Sequence, residues 1–201
     1  MQLIGMLDSP YVRRVAISLR LMGLPFSHRA VSVFRHLPDF QAINPVVKAP
    51  TLILEDGSTL MDSTLILDYL DTLHPGRSLM PSSLPQRQHC LYLLGLALAA
   101  MEKSVQLIYE QQLRPEDKRY QPWQERVSAQ LLAAYTLLEQ SMTRQPLDIE
   151  VLDQAGISIA VAWRFTRELL PQQLNWVDFP RLQQWSTQAE ALPAFIATPF
   201  E

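Results

Sequence analysis

Between Pro10 and Met22 the apolar residues Val12, Val15, Ala16, Leu19 and Met22 recur every three or four positions, the repeat of a helix with one buried face. Pro10 suits the first helical position, where a missing N–H breaks no hydrogen bond, and Gly23 marks the end. Ahead of this helix Gln2 to Leu7 reads as a short apolar strand, turned by Asp8-Ser9-Pro10. Behind it Phe26 to Val33 reads as a second strand, and Leu37 to Ile43 as a short helix or an ordered loop. Pro45 and Pro50 bracket a segment that cannot be helical, because each ring removes a backbone N–H and biases the residue before it toward extended geometry. Thr51 to Leu54 and Thr59 to Met61 are β-branched and apolar. Glu55-Asp56-Gly57-Ser58 between them carries the Asp-Gly signal of a tight reversal, so the pair is predicted to be a β-hairpin. After Asp62-Ser63 the residues Leu65, Ile66, Tyr69, Leu70 and Leu73 return to helical spacing, which makes Ser63 the expected N-cap of an amphipathic helix. The order over residues 1 to about 73 is β-α-β-α-β-β-α, a parallel βαβ unit and an antiparallel hairpin sharing one sheet.

From His74 to Pro85 the composition shifts to Pro75, Gly76, Pro81, Pro85 and three serines, as in a linker. Beyond Pro85 the chain is helical throughout. Gln86 to about Leu113 lacks proline, and apolar residues nearly encircle it from Cys90 to Met101, so this helix is expected to be central and buried on more than one side. Val127, Leu131, Ala134, Leu138 and Met142 define the next helix. Asp153 starts one running toward Leu170, Pro180 starts another through Glu190, and Pro193 with Phe195 closes the domain.

Composition narrows the function classes. With 201 residues, 48% hydrophobic and 18% charged, the chain has the make-up of one or two folded domains. A net charge of −3 without any Lys/Arg run speaks against nucleic acid as a partner. The longest apolar run, Cys90 to Met101, is shorter than the roughly 20 residues of a bilayer-spanning helix. Met1 to Gly5 leads into a strand without a basic, apolar, cleavable leader, so a cytoplasmic protein with no membrane partner is expected. The single cysteine, Cys90, excludes an internal disulfide or a C-x-x-C pair and is expected to be an inert buried thiol. No metal is called for.

The run Asn44-Pro45-Val46-Val47-Lys48-Ala49-Pro50, then a hairpin, Asp62-Ser63 and a helix, resembles the glutathione-binding half of the glutathione S-transferase family, whose usual text is N-P-x-G-K-x-P followed by E-S or D-S. Six positions agree at fixed offsets. The resemblance implies an α+β protein: a thioredoxin-like glutathione-binding domain over residues 1–75, a linker over 76–85, and an all-α C-terminal domain over 86–201. It implies a cis Pro50, and backbone pairing of Ala49 with the cysteinyl unit of glutathione as co-substrate. It implies a homodimer joining the N-domain of one subunit to the C-domain of the other. The implied activity is conjugation of glutathione to a small electrophilic substrate, or reduction of a peroxide. The alternative is a binding or regulatory protein of the same fold with little turnover. Independently of the family, a helix start offers unpaired N–H groups and partial positive charge, an anion site. Ser63 sits where a ligand carboxylate would dock and Asp62 where an ammonium would, and one γ-glutamyl group presents both. The family pattern is broken at Val47, where glycine is usual, and at Gly156, where the usual Asp would complete a reciprocal cap with Asp153.

The run Asp8-Ser9-Pro10-Tyr11-Val12-Arg13 resembles the serine-type classes, which makes Ser9 the candidate catalytic residue. A hydroxyl donating to sulfur beside the positive end of a helix favours thiolate over thiol; without the family, Ser9 is an ordinary cap before a first-turn proline. Asp8 would oppose a thiolate and is expected to point away. Lys48 and His36 are candidates for the glycyl carboxylate, and Tyr11, Tyr109 and Trp163 for an acceptor pocket. Arg13 and Arg14 are expected on an exposed face of the first helix. A disulfide reductase is disfavoured because serine forms no mixed disulfide.

Overall fold

The computed structural model describes residues 1–201. They form two compact units, residues 1–80 together with 191–201, and residues 81–190. The first holds strands β1 (Gln2–Ile4), β2 (Ser27–Arg29), β3 (Thr51–Ile53) and β4 (Thr59–Met61) with helices α1 (Pro10–Leu21), α2 (Leu37–Ile43) and α3 (Ser63–Leu73). The sheet order is β2-β1-β3-β4, with β1 parallel to β2 and antiparallel to β3, and β3 antiparallel to β4. This is the thioredoxin-like arrangement. Alternation along β1 sends Leu3 and Ile4 to opposite faces. Leu3 and Leu52 meet Val12, Val15, Ala16 and Leu19 of α1 and Ile66, Leu67 and Leu70 of α3, while Ile4 packs with Val31 and Phe40 under α2. Each such side chain removed from water contributes about 1.5–3 kcal/mol, so the strand stacks are held chiefly from their two faces.

The strands at the start of the chain are shorter than the apolar runs that announced them. β1 stops at Ile4 because Gly5 turns to φ 135°, and a Cβ there would lie 2.6 Å from Val12 Cγ2. The glycine lets α1 close onto the sheet.

Two expectations fail in this unit. Arg13 and Arg14 are not on an exposed face; each is 1% exposed. The last eleven residues belong here rather than with the C-terminal helices. Arg13 joins the two: its Nε donates to the Thr198 carbonyl at 2.8 Å and its guanidinium lies 5.7 Å from the ring centre of buried Phe195, on the short helix α8 (Pro193–Ile196), while Arg14 turns to the start of α3.

The second unit is α4 (Leu84–Gln112), α5 (Gln121–Arg144), α6 (Gln154–Leu169) and α7 (Pro180–Glu190). Its central helix is α6, buried at every position from Gln154 to Trp163. As expected, α4 is buried on more than one side, against both α5 and α6, while its outer face leaves Leu91 and Tyr92 exposed. The 29-residue α4 is also long and apolar enough to cross a bilayer, contrary to the reading of its apolar run; here it packs along α5 and α6 as a core helix. Asp153 caps α6 by accepting from the Gly156 N–H at 2.8 Å. Tyr135 donates to the Ala162 carbonyl at 2.9 Å, and its hydroxyl lies 2.6 Å from Thr166 Oγ1. Trp163 is fully enclosed by Tyr135, Trp176 and Phe179, so it serves the core. Cys90 is buried, and burial first, then the neighbouring Asp153, pushes its thiol up to about 12.

Candidate functional site

The sequence run from Asn44 to Pro50 becomes a pinned loop. Asn44 is buried; its Nδ2 donates to Thr51 Oγ1 at 2.9 Å and its Oδ1 accepts from the Val46 N–H at 3.0 Å. Thr51 Oγ1 in turn donates to the Lys48 carbonyl at 2.8 Å. Between them Val47 takes φ 55°, the left-handed region that glycine adopts readily and a β-branched residue enters only under strain. The loop keeps the path that a glycine would allow. The Ala49–Pro50 peptide is cis, and the β3–β4 ladder begins at Thr51, so the Ala49 backbone groups lie outside it.

At the start of α3 the roles of two residues are exchanged relative to expectation. Asp62, not Ser63, is the N-cap; its Oδ1 accepts from the Thr64 N–H at 2.9 Å, with φ 74° at Asp62 itself. Its longer reach to the second N–H of the turn lets a carboxylate cap where Ser63 is already the first helical residue. Ser63 is 3% exposed, and its Oγ accepts from Arg14 Nη1 at 3.1 Å; Arg14 also donates to Thr64 Oγ1 at 3.3 Å. Asp62 Oδ2 faces Lys48 Nζ at 3.4 Å. Partial burial pushes the Asp62 carboxyl up, but the N–H groups of Thr64 and Leu65 and the Lys48 ammonium outweigh it, and it titrates below the ordinary range. The two non-glycine residues with positive φ are Asp62, one partner of this ion pair, and Val47, which precedes the other. Such strain concentrates where a chain must hold a particular geometry.

Arg14 is the residue that sequence reasoning missed. Burial lowers its guanidinium to about 10, with Asp62 and Tyr11 opposing, so it remains a cation at neutral pH. It places a full positive charge directly behind Ser63, adding to the partial charge of the α3 N-terminus. It also ties α3 to α1, the helix that Ser9 begins. No local sequence signal marks it; in the structure Ser18 Oγ donates to the Arg14 carbonyl at 2.7 Å, one turn on, within a helix buried almost all round.

Ser9 is the N-cap of α1, but its Oγ lies 3.5 Å from the Val12 N–H it serves. That is the outer limit of a hydrogen bond, so its own helix holds the hydroxyl weakly; as the oxygen only accepts in this contact, its O–H is not used by it. Asp8 beside it is half-buried. Burial raises its carboxyl, against Arg35 and the Ser9 and Asp8 N–H groups. His36 stands apart from Lys48 in role: it is exposed and accepts from the Ser32 N–H through Nδ1 at 3.2 Å. The first unit thus gathers Arg14, Lys48, Asp62 and Ser63 into one connected set, with Ser9 at the head of the helix that carries Arg14.

This fold defines a thioredoxin-like domain that holds two cations, a carboxylate and a hydroxyl at the start of α3. Residues 3–78 match the family model described as "Glutathione S-transferase, N-terminal domain". A glutathione transferase family member from Pseudomonas fluorescens, solved with bound S-(propanoic acid)-glutathione, is 30% identical, with 98% of this chain and 97% of that one covered and a TM-score of 0.84. A glutathione S-transferase from Methylobacterium radiotolerans, solved with glutathione sulfonate, has a TM-score of 0.90 over 100% and 95% of the two chains at 24% identity. Glutathione S-transferase U3 of Arabidopsis thaliana is 25% identical over 195 residues, 92% of this chain and 81% of that protein. The chain spans about half the length of two further plant relatives that it matches, the Arabidopsis thaliana glutathione S-transferases U4 (41%) and U6 (54%). The chain belongs to the glutathione S-transferase family.

Proposed function

We propose that this protein binds glutathione and transfers its thiolate to an electrophilic carbon or to a peroxide. The observation that carries the reading is the Arg14–Ser63–Asp62 assembly, a buried cation, a hydroxyl and a carboxylate at one helix start. Ser63 and the first N–H groups of α3 receive the γ-glutamyl carboxylate, with Arg14 behind them. Asp62 receives the α-ammonium, the Ala49 backbone pairs with the cysteinyl unit, and Lys48 and His36 serve the glycyl carboxylate. The glutathione thioether held by the Pseudomonas fluorescens relative supports this choice of ligand. Ser9 donates to the sulfur and stabilises the thiolate, whose electron pair then forms the new bond to carbon while the leaving group departs, or to a peroxide oxygen while the O–O bond breaks. Exposed Met61, Leu65, Tyr69 and Leu73 in one unit, and Leu91 and Tyr92 in the other, support a homodimer. The protein acts in the cytoplasm.

A second reading, a glutathione-binding protein of low turnover, is favoured by Asp8. Its half-buried carboxyl next to Ser9 disfavours another negative charge nearby. Calorimetry with glutathione, on the parent and on Asp62→Asn/Ser63→Ala, followed by a panel of electrophiles and hydroperoxides, separates these readings. The double variant should lose at least tenfold in affinity; equal affinity in both proteins refutes the site. A parent that binds but turns over nothing on the panel supports the second reading.

A further inference from the structure

We propose that Arg13 is a positioning residue for Ser9, and that the C-terminal segment Ala191–Glu201 acts on the site by gripping its side chain. This rests on the assignment of Ser9 to the glutathione sulfur made above. The Ser9 Oγ accepts from the Val12 N–H at 3.5 Å, too long to fix it, so the direction of the hydroxyl follows the backbone of the first turn of α1. Two bonds hold that backbone. The Ser9 N–H donates to the Met6 carbonyl at 3.2 Å, and the Arg13 N–H closes the turn by donating to the Ser9 carbonyl at 2.9 Å. Whatever fixes Arg13 is one hydrogen bond away from Ser9.

The Arg13 side chain is buried, with its Nε on the Thr198 carbonyl and its guanidinium against the Phe195 ring. The segment that receives it is itself well formed. The Phe195 and Ile196 N–H groups each donate to the Leu192 carbonyl at 3.0 Å, and Thr198 Oγ1 donates to the Ala194 carbonyl at 2.8 Å. Phe195 and Thr198 are both buried, so the grip is on a fixed carbonyl and a fixed ring. A planar guanidinium bonded to one and resting on the other has little freedom to turn. Arg14, the next residue, projects about 100° further around the helix and ties the same turn to α3 through Ser63 and Thr64. The first turn of α1 is therefore clamped from two directions. Loosening Arg13 leaves the α3 clamp, and with it the γ-glutamyl contacts, but lets the turn shift about that clamp and carry the Ser9 hydroxyl off the sulfur. A displacement of about 1 Å is enough to cost a reaction up to about a hundredfold.

The test is the ultraviolet titration of the thiolate of bound glutathione, with affinity from calorimetry, on the parent, Arg13→Lys and Phe195→Leu. Arg13→Lys keeps the charge and loses the Nε donor and the planar face; Phe195→Leu keeps the apolar filling and loses the ring. Both should bind glutathione within about twofold of the parent while the thiol midpoint rises by about half to one pH unit, a roughly three- to tenfold weaker preference for thiolate. The double variant should rise no further than the more severe single one, because the two changes break one link. A midpoint that stays at the lowered value of the parent overturns the proposal, since Arg13 then only fastens the C-terminal segment. So does a loss of affinity beyond about tenfold alongside the shift, because the α3 clamp would have failed as well. Phe195→Leu carries the same test where Arg13→Lys does not fold. A parent midpoint equal to that of free glutathione refutes the assignment of Ser9 itself, and this proposal with it.

Discussion

Replacing Arg14 by methionine removes a buried guanidinium while keeping much of its length and apolar stem. Arg14 donates to Ser63 Oγ at 3.1 Å and to Thr64 Oγ1 at 3.3 Å. Hydrogen bonds from a charged donor contribute about 1.5–3 kcal/mol each, so the pair contributes about 3–6 kcal/mol. Burial acts against them: desolvation outweighs Asp62 and Tyr11 and lowers the guanidinium to about 10, a penalty on the order of a few kcal/mol that methionine does not carry. The difference is a loss of about 0–3 kcal/mol, or at most about 12 °C in melting temperature for a chain of this size. Affinity should respond differently. The γ-glutamyl carboxylate loses its nearest full positive charge, and at about 1.5–3 kcal/mol glutathione should bind roughly ten- to a hundredfold more weakly. Thermal unfolding and calorimetry on the same preparation separate the two effects, and Arg14→Lys, which keeps the charge, should recover part of the affinity. Unchanged affinity in Arg14→Met would refute the assignment, and a fall of more than about 20 °C in melting temperature would show that the arginine serves the fold first.

Val47→Gly should leave stability unchanged or raise it by up to about 1 kcal/mol. It relieves about 1–2 kcal/mol of left-handed strain against about 0.5–1 kcal/mol of added backbone freedom and some lost packing. Chemical denaturation checks this, and a loss above about 1 kcal/mol would contradict it. Cys90 should resist thiol reagents at pH 8 in the folded protein and react only upon unfolding. Because its folded-state value lies above the unfolded value of 9.0, its stabilising contribution is complete below pH 9 and declines as pH rises from there toward about 12. Cys90→Ala should flatten that alkaline decline in denaturation midpoints; an identical decline in both proteins would contradict the burial of the thiol.

The elements of the first unit were legible because their signals are local. The periodicity of Val12, Val15, Ala16 and Leu19, the Asp56-Gly57 reversal and the prolines at 45 and 50 are each read within a few residues. The candidate site was proposed only through the family resemblance, since nothing local tells a capping serine from one facing a ligand. What the sequence concealed depends on contacts far along the chain. Arg13 and Arg14 look like a solvated pair until Thr198, 185 residues away, and Ser63, 49 residues away, supply their partners. The capping roles of Asp62 and Ser63 differ by one residue, a choice made by the φ of 74° at Asp62 and by the arginine that draws Ser63 inward. In the helical unit, α4 and α6 are both strongly apolar, and composition does not rank their burial. Packing does, by placing α6 inside and leaving one face of α4 outside.

The claim on which the functional account turns is that Ser9 holds glutathione as a thiolate, and the most direct measurement is the ultraviolet absorbance of the bound thiolate titrated against pH. A free thiol titrates near 8.5, and lowering it by two pH units needs about 2.7 kcal/mol of preference for the charged form. The complex of the parent should show a midpoint near 6.5. In Ser9→Ala, loss of one hydrogen bond to the charged sulfur, about 1.5–3 kcal/mol, should return the midpoint upward by about one to two pH units while glutathione still binds. A parent midpoint at that of free glutathione, or the same lowered midpoint in both proteins, would show that Ser9 caps its helix and does nothing to the sulfur.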